Sequence, residues 1–506
     1  MLQVILSDRK FENDVYPLVK AFYPRETVKI CTREEDRPEN TGQLEETGQP
    51  AEERQQIPGQ IRIGFREDGI TVEIKKRHGE LISESAALPP FTLHKSGYKN
   101  GMKRTLYRLF SDLTGKQFPW GILTGIRPTK LVYDMLTQGL EEDFIYERMS
   151  KEYLCSRDKT RMSITIAGRE RELLTAMDYR NGYSLYIGIP FCPSTCLYCS
   201  FPSYPMERFA SYGEAYLEAL EKEILFASGC FPDKKLTSVY FGGGTPTTLS
   251  AFQLNKLLGF VRERFDFTHV KEFCVEAGRP DSITGEKLEV LKKRGVDRIS
   301  INPQSMQQRT LDLIGRKHSV EQIKEAFLLA RETGHENINM DLIIGLPGEN
   351  PADVEDTLKQ IKELSPDGLT VHTLALKRAA RLNIEKESYA ALQAEDVCSM
   401  LEKTVRFAED NHYLPYYLYR QKNMADNLEN VGYSRYGKEG LYNILIMEEQ
   451  QTILALGAGA MSKFVFHEES RIERVDNVKS ITDYISRTDE MIGKKQKFLR
   501  ENGPLL

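Results

Sequence analysis

Cys192, Cys196 and Cys199 stand in one short run, YIGIPFCPSTCLYCSF over 186–201, with the spacing C-x3-C-x2-C. A β-type stretch, Tyr186 to Ile189, breaks at Pro190 and delivers the chain into that loop. The spacing lets one tight loop aim three thiolates at one place. Thiolates are the usual ligands of iron–sulfur clusters, which normally take four. Three ligands with no evident fourth point to a [4Fe-4S] cluster with one iron open to a substrate or cosubstrate. Structural zinc and three coincidental core cysteines are the plainer alternatives. A structural zinc site is closed by four ligands, usually in paired C-x2-C elements. No Cys or His pair elsewhere in the sequence completes such a set.

A cluster loop needs a frame, and the sequence supplies a repeating one. Strand-like runs recur at Leu185–Ile189, Ser238–Phe241, Glu272–Glu276, Arg298–Asn302, Asn339–Ile344 and Gly368–Thr373. Helical periodicity fills the gaps, near Tyr212–Ala227, Ala251–Phe265, Glu286–Lys293, Val320–Thr333 and Ala352–Leu364. Strand-then-helix alternation predicts an α/β fold with a parallel sheet and helices outside, most simply a partial (β/α)6 barrel. Sites in such barrels form at the C-terminal strand ends, and the polar residues fall there. Gly242-Gly243-Gly244-Thr245-Pro246 follows the second strand. Glycines let backbone approach a ligand and adopt positive φ, although such runs are as often tight turns. Glu276 closes the third strand, Gln304 follows the fourth, and Arg316 lies beyond it. Asp341 sits inside the apolar fifth strand, where an acid is costly unless paired or bound to a ligand. The sixth ends around Ala375, followed by Lys377, Arg378 and Arg381.

These motifs, in this order, resemble the radical S-adenosylmethionine (SAM) enzymes. More narrowly, YIGIPFC…CLYCSF, YFGGGTPT, VEAGRPD, INPQSM…LIGRKHS and NMDLIIGLPGE resemble the oxygen-independent coproporphyrinogen III dehydrogenase (oxidase) family over about 183–465. The long N-terminal region is similar to a branch found in Gram-positive bacteria. The resemblance implies that Cys192, Cys196 and Cys199 bind three irons and that SAM chelates the fourth. One electron then cleaves SAM to methionine and a 5′-deoxyadenosyl radical. It further implies a SAM site lined by Tyr186, Gly243, Gly244 and Thr245, by Glu276 and Gln304, and by Arg316, Asp341 and Ala375. Tyr198 is expected against the adenine. For each of these residues a packed or salt-bridged barrel position is the plain alternative. The implied reaction takes a hydrogen atom from a propionate of coproporphyrinogen III and releases carbon dioxide, twice over, to give protoporphyrinogen IX. Lys377, Arg378 and Arg381 are placed to meet the substrate carboxylates. The implied electron donor is a flavodoxin- or ferredoxin-type protein.

Three departures from the family pattern concern the substrate more than the radical chemistry. Gly188 stands where the family commonly has His, and Phe201 where the decarboxylating enzymes carry a fourth Cys. The acid motif reads Glu276-Ala277-Gly278-Arg279-Pro280 in place of an acid followed by Asn-Pro or Asp-Pro. The Cys-Ser-Phe ending resembles sister members that act as haem chaperones. However, Leu441-Tyr442-Asn443-Ile444 lacks the His-Asn pair of those proteins. A haem chaperone-like protein and a radical SAM enzyme acting on another tetrapyrrole are therefore the alternatives carried forward.

The rest of the chain sets limits. At 506 residues, two or three domains are expected. A formal charge of −5 gives no global reason to expect nucleic acid or a membrane surface. Acidic residues interrupt the N-terminus too early for a signal peptide, and no apolar run approaches the ~20 residues of a spanning helix. Eight cysteines are too sparse for a disulfide scaffold, and the tight cluster of three suits a reducing cytoplasm. A monomer is expected.

Residues 1–85 read as a small strand-containing domain in which 33–60, nearly devoid of large apolar residues, is a mobile loop. Residues 86–180 read as mainly helical. Their basic stretch, with Lys95, Lys99, Lys103, Arg104 and Arg108, is either the solvated side of an amphipathic helix or a face for an anionic partner. The lone Trp120 reads as core. Residues 181–380 form the barrel, and 381–506 a mainly helical domain over the substrate. In that last domain Tyr416, Tyr417, Tyr419, Arg420 and Lys422 either bound a flat macrocycle or form an aromatic core patch. Gly457, Gly459 and Ala460 resemble the family's G-x-G-A segment.

Overall fold

The computed structural model describes residues 1–24, 26–32, 58–125, 127–374, 396–420 and 428–503. Most of the expected loop over 33–60 lies outside the described residues, as do Ala375, Lys377, Arg378, Arg381 and Lys422. The chain divides into two compact units, Met1–Ala167 with Arg420–Glu429, and Gly168–Tyr419 with Asn430–Leu506.

The first unit is built on a five-stranded sheet of β1 (Leu2–Leu6), β2 (Val28–Cys31), β3 (Pro58–Arg66), β4 (Gly69–Lys76) and β5 (Leu81–Ala87), in the order β2-β1-β3-β4-β5. Alternation in β3 and β4 buries Ile61, Ile63, Ile70, Val72 and Ile74 on one face, as period-2 patterning requires. Trp120 is fully buried, and its Nε1 donates to Glu429 at 2.7 Å, so it is core. The basic helix Lys95–Thr114 buries Tyr98 and Tyr107. Lys99 pairs with Asp14 at 2.6 Å, and Arg104 donates to the Glu152 carbonyl.

The second unit carries an eleven-stranded sheet. Its centre is β6 (Gly182–Ile189), then β9 (Lys235–Gly243), β10 (Glu272–Gly278), β11 (Arg298–Ile301), β12 (Ile338–Ile344) and β13 (Gly368–Thr373). Between β6 and β9 the two-residue strands β7 (Phe191–Cys192) and β8 (Tyr204–Pro205) pair with each other. The six central strands are all parallel and lie side by side in chain order, the arc of a (β/α)6 barrel. The crossover helices follow the predicted periodicity. Ser250, Ser319 and Asn350 each close a capping box ahead of Ala251–Arg264, Val320–Glu332 and Pro351–Leu364.

The C-terminal residues hold more strand than the helical reading implies. Beside the helices Val397–Asp410, Leu441–Glu448, Ile481–Ser486 and Thr488–Asn502 are five strands that extend the same sheet. β14 (Leu414–Tyr419) and β15 (Asn430–Ser434) run antiparallel beyond β13. On the other side β16 (Thr452–Leu456) lies parallel to β6, followed by antiparallel β17 (Met461–Phe466) and β18 (Arg471–Asp476). Tyr416 and Tyr417 are buried and pack at 4.9 Å between ring centroids, so they belong to the core.

Candidate active site

The cysteine loop is pinned from several sides. The Leu197 amide donates to the Ile314 carbonyl at 3.0 Å, and the Cys199 amide to the Cys196 carbonyl at 3.2 Å. The three cysteines are free thiols, Cys196 buried and the other two half-buried. Thr245 Oγ1 lies 3.6 Å from Cys192 Sγ, and Arg279 Nη1 lies 3.9 Å from Cys196 Sγ. Burial pushes the Cys192 thiol up to about 11 and raises Cys199. Among the described residues no three His, Cys, Asp or Glu are gathered as a single-ion site. A cubane takes each thiolate at a different iron and needs no such convergence.

The glycine run at the end of β9 is a cradle. Gly243 has φ +103°, and a Cβ on Gly244 would lie 2.5 Å from the Phe191 carbonyl and 2.9 Å from that of Ile189. Only glycine lets the backbone pass this close behind the cysteine loop.

Beside it the strand ends present a cluster of rings and acids. Tyr186, Tyr240 and Tyr442 lie nearly parallel, with centroids 4.3 Å apart for the closest pair. Tyr442 is aimed by Glu272, whose buried carboxylate accepts the Leu441 and Tyr442 amides at the start of its helix. Tyr240 donates its hydroxyl to Glu276 in a short hydrogen bond. Burial and the charge of Asp341 push Glu276 up to about 7. Burial also acts against ionised Asp341, but His372, Asn339 and Thr370 outweigh it and hold that acid below its ordinary value. Asn339 Nδ2 donates to Asp341 at 2.7 Å, and His372 Nε2 stands 3.8 Å away. Environments that separate two carboxyls in this way make one a standing acceptor and leave the other able to donate or accept near neutrality.

Gln304 has φ +69°, and its buried Oε1 has no hydrogen-bond partner. A non-glycine residue held there with an unpaired oxygen is the kind of strain found at ligand sites. Arg316 is buried, with Nη1 on the carbonyls of Asn302 and Pro303, Nη2 3.2 Å from the Tyr198 hydroxyl, and Nε unpartnered. Tyr198 packs on the cluster of Ile314, Ile343 and Leu346. Of the strand-end residues singled out in the sequence, the structure brings Glu276, Gln304 and Asp341 together, and Ala375 lies outside the described residues. Tyr240, Tyr442, His372 and Arg279 were not singled out. Tyr240 and Arg279 stand inside quoted motifs, and the polar character of Tyr240 in an apolar strand is the signal that finds it.

A pH dependence follows from Glu276. Its pKa is raised on folding, so the associated stability is present below its ordinary 4.5 and is lost as pH rises through about 7. Glu276 as a residue is half-buried, and with allowance for solvent screening the effect is about 2 kcal/mol. Urea denaturation of the cluster-free protein is expected to show wild type losing that much relative to Glu276→Gln between pH 5 and pH 8. Parallel curves would place the Glu276 pKa near its ordinary value.

The fold and this arrangement define a radical SAM protein. Residues 186–361 match the radical SAM superfamily. The chain is 42% identical over 438 residues to the oxygen-independent coproporphyrinogen-III oxidase-like protein HemZ of Bacillus subtilis, covering 85% of this chain and 86% of that protein. It therefore belongs to the oxygen-independent coproporphyrinogen III oxidase family of radical SAM proteins. The heme chaperone HemW of Bacillus subtilis is 35% identical over 229 residues, 43% of this chain and 60% of that protein. Among solved structures the coproporphyrinogen III oxidase HemN of Escherichia coli, a radical SAM enzyme, aligns with TM-score 0.50 and 25% identity over 64% of this chain and 73% of that one. Members of the superfamily use a [4Fe-4S] cluster and SAM. The three clustered thiols, the Gly244 cradle and the unpaired Gln304 and Arg316 atoms fit those groups.

Proposed function

We propose that the protein carries out the oxygen-independent oxidative decarboxylation of coproporphyrinogen III to protoporphyrinogen IX. The observation that carries this reading is the similarity to HemZ along most of both chains, which reaches far beyond the cluster-binding segment. In this reading Cys192, Cys196 and Cys199 hold the cluster. Tyr186, Gly243, Gly244, Thr245, Gln304 and Arg316 bound SAM, with Tyr198 on the adenine side. Glu276 and Asp341 receive its hydroxyl or ammonium donors. The bound cluster and SAM supply the hydrogen-atom abstraction, and the protein's part is to orient the reacting groups and exclude water. Asp341, held ionised by His372 and Asn339, offers a fixed charge. Gly243 and Gly244 let the backbone come close without a side chain. A flavodoxin- or ferredoxin-type protein supplies the electron.

The test is an anaerobic assay with reconstituted protein, SAM, a reductant and coproporphyrinogen III, the tetrapyrroles being read by mass. Two successive losses of carbon dioxide with formation of 5′-deoxyadenosine are expected. SAM cleavage with the tetrapyrrole mass unchanged would reject this substrate. Tight haem binding without product would instead favour a chaperone-like role, the reading to which the HemW similarity points.

A further inference from the structure

The departure in the acid motif has a structural counterpart. β10 and β11 lose register between Glu276 and Gly278, so Ala277 is an extra residue on the β10 side. Gly278 takes φ +70°, the left-handed conformation that such a bulge uses. The bulge leaves Glu276 at the strand end and sends the next residue, Arg279, beneath the cysteine loop. Arg279 is 3% exposed. Asp281 grips one edge of its guanidinium, accepting from Nε at 2.9 Å and from Nη2 at 2.6 Å. Nη1 remains for the loop, donating to Ser194 Oγ at 2.7 Å and to the Ser194 carbonyl at 3.1 Å, with Cys196 Sγ at 3.9 Å. The Arg279 backbone is fixed as well, its carbonyl accepting from Ser282 Oγ at 2.7 Å.

We propose that Arg279 is a positioning residue that holds the cysteine loop and, through Nη1 aimed at Cys196 sulfur, raises the reduction potential of the cluster. The proposal rests on the assignment of the three cysteines to that cluster. Hydrogen bonds to cluster sulfurs and nearby charge set its potential. Reduction adds one electron and no proton, so a donor directed at a ligand sulfur favours the reduced form. Arg279 and Asp281 together carry no net charge, and the pair is oriented with its cationic edge toward the sulfur. The two residues should therefore act in opposite directions.

The experiment is a redox titration of the reconstituted full chain, followed by electron paramagnetic resonance (EPR), with iron and sulfide measured in each sample. Arg279→Gln is expected to lower the equilibrium constant for reduction about tenfold, a shift of about 59 mV to more negative potential for one electron. Asp281→Asn is expected to shift it the other way, because it leaves the guanidinium uncompensated. An unchanged potential in the Gln variant, or a downward shift in both variants as general loop damage would give, overturns the proposal. If the Gln variant does not retain iron, Arg279→Lys decides. It keeps the charge without the fork, and a smaller downward shift supports the role while no shift overturns it. A wild-type chain that binds no iron would instead reject the cluster assignment itself.

Discussion

Cys196→Ala is expected to reduce iron from about four atoms per reconstituted chain to background and to abolish SAM cleavage. Cys196 is the buried member of the three and the one whose Sγ lies 3.9 Å from Arg279 Nη1. On the proposed assignment, replacing it removes one cluster ligand from the middle of the loop and leaves Arg279 Nη1 facing an alanine. Cys398→Ala is the matched control, since Cys398 is exposed and lies in the helix Val397–Asp410. Iron and SAM cleavage are both expected to be unchanged in that variant. Cleavage retained by Cys196→Ala would refute the loop assignment, whatever the substrate.

The largest stability effect is expected at a site remote in sequence from the loop. Glu223 and Lys495 form a fully buried ion pair at 2.8 Å. Glu223 also accepts from Tyr484, from Asn477 and from the Gly457 amide. Tyr216 completes the link, accepting from the Ala458 amide and donating to the Gly188 carbonyl at 2.6 Å. This network ties the last helix and the G-x-G-A segment to the end of β6, where the cysteine loop begins. A Cβ at Gly457 would lie 2.6 Å from the Gly188 carbonyl, so the two segments can approach this closely only with glycine there. Lys495→Met strands a buried carboxylate and should cost about 3–5 kcal/mol in urea denaturation. Adding Glu223→Gln should restore part of that loss by removing the uncompensated charge. A double variant no more stable than the single one would mean that packing around Lys495, and not charge pairing, holds the helix.

Much of this was legible in the sequence because it depends on period and punctuation. All six barrel strands and the five predicted helices fall within a few residues of their predicted ranges, since apolar runs and capping residues mark them locally, whereas the short helix Gln308–Leu313 was not predicted. The placement of the polar residues was legible for the same reason, since Glu276 and Gln304 follow apolar runs and Asp341 interrupts one, while their roles at a site are proposed. Other features required the third dimension. β16 reads as another apolar segment, and nothing in its own residues says that it pairs with β6, more than 260 positions earlier. β5 is largely exposed, and its residues Leu81–Ala87 show no sustained alternation of apolar and polar positions to detect. The tyrosine stack joins residues from β6, β9 and the helix Leu441–Glu448, and its partners have no shared sequence signal. Arg279 was visible as a departure from a motif, but its direction depends on a bulge that only strand register reveals.

The central claim is that three thiolates in this loop leave one iron of a cluster open to SAM. EPR spectroscopy of the anaerobically reconstituted, dithionite-reduced protein tests it directly. The account predicts the signal of a reduced [4Fe-4S] cluster whose g values shift when SAM is added. A reduced cluster indifferent to SAM, or no iron–sulfur signal in a protein that retains its fold, would contradict it.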